Sequence, residues 1–390
     1  MRSTPRRVVG VAALAAVLWV AMAAPAAAHG RGVEASNFIS TILDAPEVDG
    51  VTWKILGGDQ YLSVTNTSDT AVIVPGYDNE PYLRVGPDGV EENRASRATY
   101  ENKDRYAEVA DTPPNVGPAQ PPRWVQVSDT PTHAWHDHRI HWMSPALPPV
   151  VGADPAKPSL VSRWTVPFTQ DGRTYGIRGE LRWVPGPSPL PRLGLAVALT
   201  LPALLGLRRR GGGDWVTGVT RPAAAVLGAV AALNITHLID DVLALPLPLG
   251  DVVQSMVQTA MFIAIGMFGA VIAWRGSDGA FTALFVGSLA IFVGQGLLYF
   301  EALRSSASAS VFPDWMARVV IALSLAQILP VGVTSFGGNA ASVGSPGPTT
   351  RPPRGSRRCH PAPEAPRLRW SGDETPFGNL FLRRLVLVVR

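Results

Sequence analysis

The stretch "THAWHDHRIHWM" (132–143) holds His133, His136, His138 and His141, four of the seven histidines in the chain. Imidazoles gathered this closely suit three kinds of chemistry: gripping Cu(II) or Zn(II), sensing pH, or fixing a loop by hydrogen bonds. Read as extended chain, the stretch alternates. His136 and His138 then share one face with Ala134, Ile140 and Trp142, while His133, Trp135, Asp137, Arg139 and His141 take the other. An H-x-H pair on a strand sets two rings ~6.5 Å apart at Cα, within reach of one ion. Two ligands leave a site incomplete, and His29 is the candidate to complete it. The expected metal set is therefore His29, His136 and His138, with His133 and His141 as further candidates.

Missing residues narrow the metal. The chain has one cysteine, Cys359, near its C-terminus. Without a thiolate in the histidine region, blue-copper, iron–sulfur and C-x-x-C-H haem chemistry are excluded there. No H-E-x-x-H zinc-hydrolase motif occurs. What survives is a type-2-like copper site of histidines, with zinc as the other option, and Asp137 as a candidate to orient a ring. Two non-metal readings stay open: a His–Asp–Arg network that fixes a loop, with Arg139 discouraging a cation, and a pH sensor.

His29 matters because of what precedes it. "MRSTPRRVVGVAALAAVLWVAMAAPAAAHG" has Arg2, Arg6 and Arg7, an apolar run from Val8 to Ala24, then small residues. This predicts a signal peptide over 1–28. Cleavage after Ala28 presents His29 with its α-amine and Nδ1; cleavage after Ala26 presents Ala-Ala-His. Both termini are copper chelates.

The elements that must position these residues read as two halves. Residues 29–187 are short runs rich in Val, Thr, Trp and Tyr, punctuated by Gly, Pro, Asn and Asp: 51–56, 60–65, 70–75, 81–85, 123–128, 160–168 and 174–184. They predict an all-β sandwich of cupredoxin or immunoglobulin-like type. The polar segment 86–122 is expected to be a surface excursion. A Pro-rich linker (184–191) leads to a transmembrane domain over 188–336.

Charged residues make up only 16% of the chain, against ~25% in soluble proteins. Five apolar stretches, 191–207, 222–241, 252–273, 280–300 and 316–336, predict an α-helical bundle of five spans. Arg208–Arg210, Arg221 and Arg275 fall in loops on one side, with Asp251, Glu301 and Asp314 on the other. The positive-inside rule then sets the β-domain outside and the tail 337–390, basic and expected to be disordered, in the cytoplasm. The net charge of +4 splits into an acidic 29–189 and a basic tail, so it gives no reason to expect nucleic-acid binding. Toward the outer side lie Asn234, His237, Asp240, Asp241, Gln254, Gln258, Gln295 and Glu301. His237 with Asp240 or Asp241 is a candidate metal or proton site, unless both aspartates simply lie at the membrane interface.

The segments "GYDNEPYLRVGPDGVEEN" (76–93), "WHDHRIHWM" (135–143) and "RWTVP" (163–167) resemble a family of actinobacterial exported multi-pass membrane proteins, from which no activity carries over. In layout, His29 with His136 and His138, then membrane spans, is similar to the cupredoxin subunit of particulate methane monooxygenase. CopC-type copper proteins also begin with histidine after the signal. "LSVTNTSDTAVIV" (62–74) resembles a hairpin of such sandwiches. The resemblance implies a copper-binding sandwich and no oxygenase. The expected function is copper binding for homeostasis or delivery, in which another envelope copper protein is a possible partner. The rivals are a non-metal envelope sensor or assembly protein and a metal-dependent membrane oxidoreductase.

Overall fold

A computed structural model describes residues 35–103, 105–107, 112–203, 218, 220–276 and 279–331. The expected signal peptide, His29, Arg208–Arg210 and the tail 337–390 lie outside the described residues. The runs of β-branched and aromatic residues form β1 (Phe38–Asp44), β2 (Val51–Leu56), β3 (Tyr61–Asn66), β4 (Val72–Pro75), β5 (Pro81–Gly86), β6 (Gly89–Asn93), β7 (Trp124–Ser128), β8 (Thr132–Trp135), β9 (Ser159–Gln170) and β10 (Arg173–Trp183). They pair antiparallel in two sheets, β1-β10-β9-β4-β5-β6-β7 and β2-β3-β8. The long β9–β10 hairpin turns at Asp171-Gly172, both at positive φ, as a two-residue turn matching strand twist requires. Leu62, Val64 and Trp135 from the small sheet and Val72, Leu83, Val85, Val166, Phe168 and Ile177 from the large one share one core.

Two expectations change here. The segment 86–122 is in part built into the large sheet: β6 pairs with β5 and β7, and a short helix α1 (Ala98–Glu101) packs behind it. Buried Asn93 explains this. Its amide donates to Pro81 O at 2.6 Å, and its carbonyl accepts the Ala95 and Arg123 N–H groups at 2.9 and 2.8 Å. The histidine stretch is likewise not one strand. β8 ends at Trp135, because Asp137 Oδ1 accepts the Arg139 N–H at 3.1 Å and Asp137 O accepts the Ile140 N–H at 3.0 Å. Such an Asx turn ends an extended run. Ile140, fully buried, then anchors the turn in the core, a burial worth roughly 2 kcal/mol.

After a short helix α2 (Pro149–Ala153), the chain becomes helical from α3 (Leu190–Thr200) onward. Among the described residues, four helices are long and apolar enough to cross a membrane: Arg221–Leu243, Leu249–Arg275, Ala280–Leu297 and Asp314–Val331. The expected span at 191–207 is described only as the shorter apolar helix Leu190–Ala203, and the residues that would extend it lie outside the described set. The first long helix breaks at Asn234 into α4 (Arg221–Leu233) and α5 (Ile235–Leu243). The next is α6 (Leu249–Arg275). The third, α7 (Ala280–Ile291), continues as a π-helical turn, Phe292–Leu297. A short α8 (Phe300–Arg304) and then α9 (Asp314–Ala326) follow. Asn234 ties its break to α9 through Ser324, 2.9 Å away. Gly269 of α6 and Gly287 of α7 let those backbones meet, the usual role of small residues between membrane helices.

The segment after α8 joins the two halves. Ser36 and Ala307 exchange backbone hydrogen bonds at 3.1 and 3.0 Å. Asn37 Oδ1 accepts the Ser306 N–H at 2.9 Å. Gly186 of the linker lies so close to Arg304 O that a Cβ would stand 1.7 Å away. Arg318, nearly buried in α9, donates to the carbonyls of Ala302, Ser305 and Ser306. It thereby satisfies the open end of α8 and holds the joint in place.

Candidate metal centre

The Asx turn brings together what alternation had separated. His141 lies beside the pair: its ring centroid is 5.3 Å from that of His138 and 6.4 Å from that of His136. His133 instead points away, stacks on Trp135 and approaches Glu92 at 4.0 Å.

Each ring is held differently. Gln60 O accepts the His136 Nδ1–H at 2.8 Å, so in the neutral ring Nε2 carries the lone pair. That is the support a metal-binding histidine ordinarily has. Tyr61 packs on the same ring at 4.1 Å. His138 stacks on Tyr77 at 5.5 Å, and its backbone N–H donates to the Tyr77 hydroxyl at 2.9 Å. His141 is buried, and neither of its ring nitrogens has a partner among the described residues. An orphaned buried polar group is rare and costly.

The surrounding charges cancel in pairs. Asp59, fully buried, takes Arg105 through both oxygens at 3.1 and 2.5 Å. Asp137, also fully buried, takes Arg139 at 2.8 and 2.6 Å and Trp135 Nε1–H at 2.9 Å. Asp137 is thus saturated and orients no histidine, contrary to its expected role. Arg139 faces Asp137 and the Tyr77 ring, away from opposing a cation by an open charge. Burial, with Arg105, His138 and His136 nearby, lowers the His141 pKa to about 2, and burial lowers that of His133 to about 4. Both rings are therefore neutral at pH 5–8, which suits ligands and does not suit a pH switch in that range.

No family model, curated protein or solved structure matches the chain. The site must be judged on its own geometry. Among the described residues, no group of three or more His, Cys, Asp or Glu side chains is disposed to hold a metal ion. His29, the expected third ligand, lies outside them. The described rings of His136, His138 and His141 form a cluster of imidazoles.

The residues around these rings, Asp59, Gln60, Tyr61, Tyr77 and Arg105, are not among the expected site residues. Asp59 and Gln60 belong to "GGDQ" (57–60), where the first two expected strands meet, and Tyr77 to "GYDNEPY" (76–82), part of a segment that carries the resemblance. The latter folds around buried Glu80, which accepts from Ser96 and from the Asp78 N–H, with Asn79 at φ 62°; this aims Tyr77 at His138.

In the membrane half, His237 Nδ1–H donates to Gln295 Oε1 at 2.9 Å, and its ring stacks on Tyr299 at 4.4 Å. The structure gives the two neighbouring aspartates different surroundings. Asp240 accepts the Ser310 hydroxyl and the Val311 N–H, both at 2.8 Å. Asp241 accepts the Ser255 hydroxyl at 2.7 Å through Oδ1 only.

Proposed function

We propose that this is a membrane-anchored protein whose β-domain, outside the cytoplasmic membrane, binds Cu(II) for homeostasis or for delivery to another envelope protein. In this reading the domain serves as a cupredoxin-like sandwich, Leu190–Ala203 is the described part of a fifth span, and the arginine-rich loops face the cytoplasm. The ligands are His136 and His138, joined by His29 once a leader is removed. His141, the buried ring beside both, is the candidate fourth nitrogen. One observation carries the reading: a buried imidazole with two unpartnered nitrogens lies within 6.4 Å of two others, in a pocket whose full charges cancel. Neutral nitrogen donors without thiolate favour Cu(II), with Zn(II) next.

The test is a Cu(II) titration of the full chain, with its in vivo N-terminus determined by mass, followed by electron paramagnetic resonance. The expected result is one equivalent of type-2 copper with nitrogen hyperfine structure. Affinity should fall at least tenfold in His136→Ala and His138→Ala. No uptake at micromolar Cu(II) refutes the proposal.

A second reading has its own support. With Asp137 and Arg139 locked together and no described metal group, the histidines would be structural elements of an envelope sensor or assembly protein. Copper-independent stability and unchanged function in His136→Ala would favour it.

A further inference from the structure

Beneath the joint between the two halves lies a cavity of about 390 Å³. Its walls come from α5, α6, the π-helical turn, α8, α9 and the segment 308–310. Three carboxylates line it, Asp240, Asp241 and Glu301, and neither lysine nor arginine does. Two of those charges are engaged: Asp240 by Ser310 and Val311, Glu301 by Arg304 at 2.7 Å. Asp241 is not fully engaged. Its Oδ2 is buried without a partner, and so is Nε2 of His237, one helical turn earlier on the same face. Both residues are more than nine-tenths buried and line the cavity. Because Gln295 takes the His237 Nδ1–H, the lone pair sits on Nε2. The π-helical turn places Gln295 there, and such turns frequently mark functional sites.

We propose that His237 Nε2 and Asp241 Oδ2 bind a divalent transition-metal cation in this cavity, with Gln258 and water as further oxygen ligands. An ionised carboxylate with a buried, unpartnered oxygen is costly and is stabilised by a bound cation, and the imidazole nitrogen selects a transition metal over Na⁺ or Ca²⁺. This site uses none of the exported histidines and stands whether or not they bind copper.

The experiment is equilibrium dialysis of the full chain in detergent against Zn²⁺, with the exported pair removed by His136→Ala and His138→Ala. One equivalent should bind at micromolar Zn²⁺. Adding Asp241→Asn or His237→Gln should weaken binding at least tenfold, whereas Asp251→Asn, a carboxylate on the same helix as Ser255 but outside the cavity lining, should leave it unchanged. No retained Zn²⁺, or affinity indifferent to both substitutions, overturns the proposal. Should those variants fail to fold, carbodiimide labelling of Asp241 in the His136→Ala/His138→Ala chain decides: Zn²⁺ protection supports the site, and labelling unaffected by Zn²⁺ overturns it.

Discussion

Replacing His141 by phenylalanine separates the two costs this ring imposes. At pH 7.5 the wild-type ring is neutral and leaves two buried nitrogens unpartnered, a burden of about 1–3 kcal/mol. An apolar ring removes it, and the slightly larger volume offsets part of the gain. The variant without metal should therefore lie between no change and about 2 kcal/mol more stable. Acid adds a second difference. The folded pKa of His141, about 2, lies below the unfolded value of 6.5, so the unfolded chain binds the proton first. Stability is intact above pH 6.5 and declines below it, continuing toward pH 2. At pH 4.5 the wild type has lost about two pKa units' worth, roughly 2.7 kcal/mol, through this ring alone. His133, with its folded pKa about 4, contributes a similar loss that levels off near pH 4. Comparing variant with wild type cancels the His133 term and that of Glu92, whose carboxyl burial pushes upward. Hydrogen exchange at β3 and β8 amides, in the full chain in nanodiscs, reports the opening free energy after correction for intrinsic rates. The advantage of His141→Phe should widen by roughly 2.7 kcal/mol between pH 7.5 and 4.5. A pH-independent difference refutes the buried neutral ring, and with it the argument that this nitrogen is kept ready for a ligand.

Asp137→Ala strips Arg139 of its buried partner; the domain should lose about 3–5 kcal/mol, read as a lower urea midpoint. Gly186→Ala forces a Cβ into Arg304 O, so the linker must leave the joint, and proteolysis near 186–190 should speed up in the folded protein. Asp240→Ala removes the acceptor of Ser310 and Val311; the Val311 amide should exchange on the order of 10–100-fold faster, as one charge-assisted hydrogen bond implies. Gly58→Ala combines a φ of +78° with a 3.0 Å approach to the Ala307 Cβ; it should disturb both the copper spectrum and exchange across 305–312, and an effect on only one of them counts against their connection.

Seven strand expectations coincide with observed strands because their signal is local: β-branched runs bounded by turn residues. β1 and β6 lie outside the expected runs for different reasons. "GVEEN" announces no strand and is held by β5 and β7, whereas "FISTILD", with Phe, Thr and two Ile, carries the local signal and pairs with β10. The four long membrane helices were legible for the opposite reason, since every backbone group in lipid must be satisfied within its own segment. The histidine pocket was half legible. Residue types and spacing marked His136 and His138, but assigning faces by alternation put His141 on the wrong side. Asp137 decides that geometry by accepting from Arg139, a choice between strand and Asx turn that packing makes, with Ile140 and Trp135 in the core. Asp240 and Asp241 are adjacent, identical in type and both line the cavity, and only the tertiary fold, through Ser310 and Val311, distinguishes the carboxylate held by hydrogen bonds from the one with an unpartnered oxygen.

The turn Gly57–Gln60 borders the imidazole cluster and packs on the segment that leads to the membrane cavity. Gln60 O fixes the tautomer of His136, and Asp59 fixes Arg105 beside His141. Two residues earlier, Gly58 holds Ser40 through its carbonyl at 3.0 Å and packs on Ala307. Ala307 in turn pairs with Ser36 and leads directly into Ser308, Ala309 and Ser310, which line the membrane cavity. A chain of neighbours therefore runs from Gln60, bonded to His136, through Gly58 and the Ala307 side chain to Ser308, Ala309 and Ser310 at the cavity. Contact alone is not coupling. The arrangement offers one route for coupling, the positive-φ turn at Gly58 and the segment Ala307–Ser310, and the paired readouts of Gly58→Ala test it.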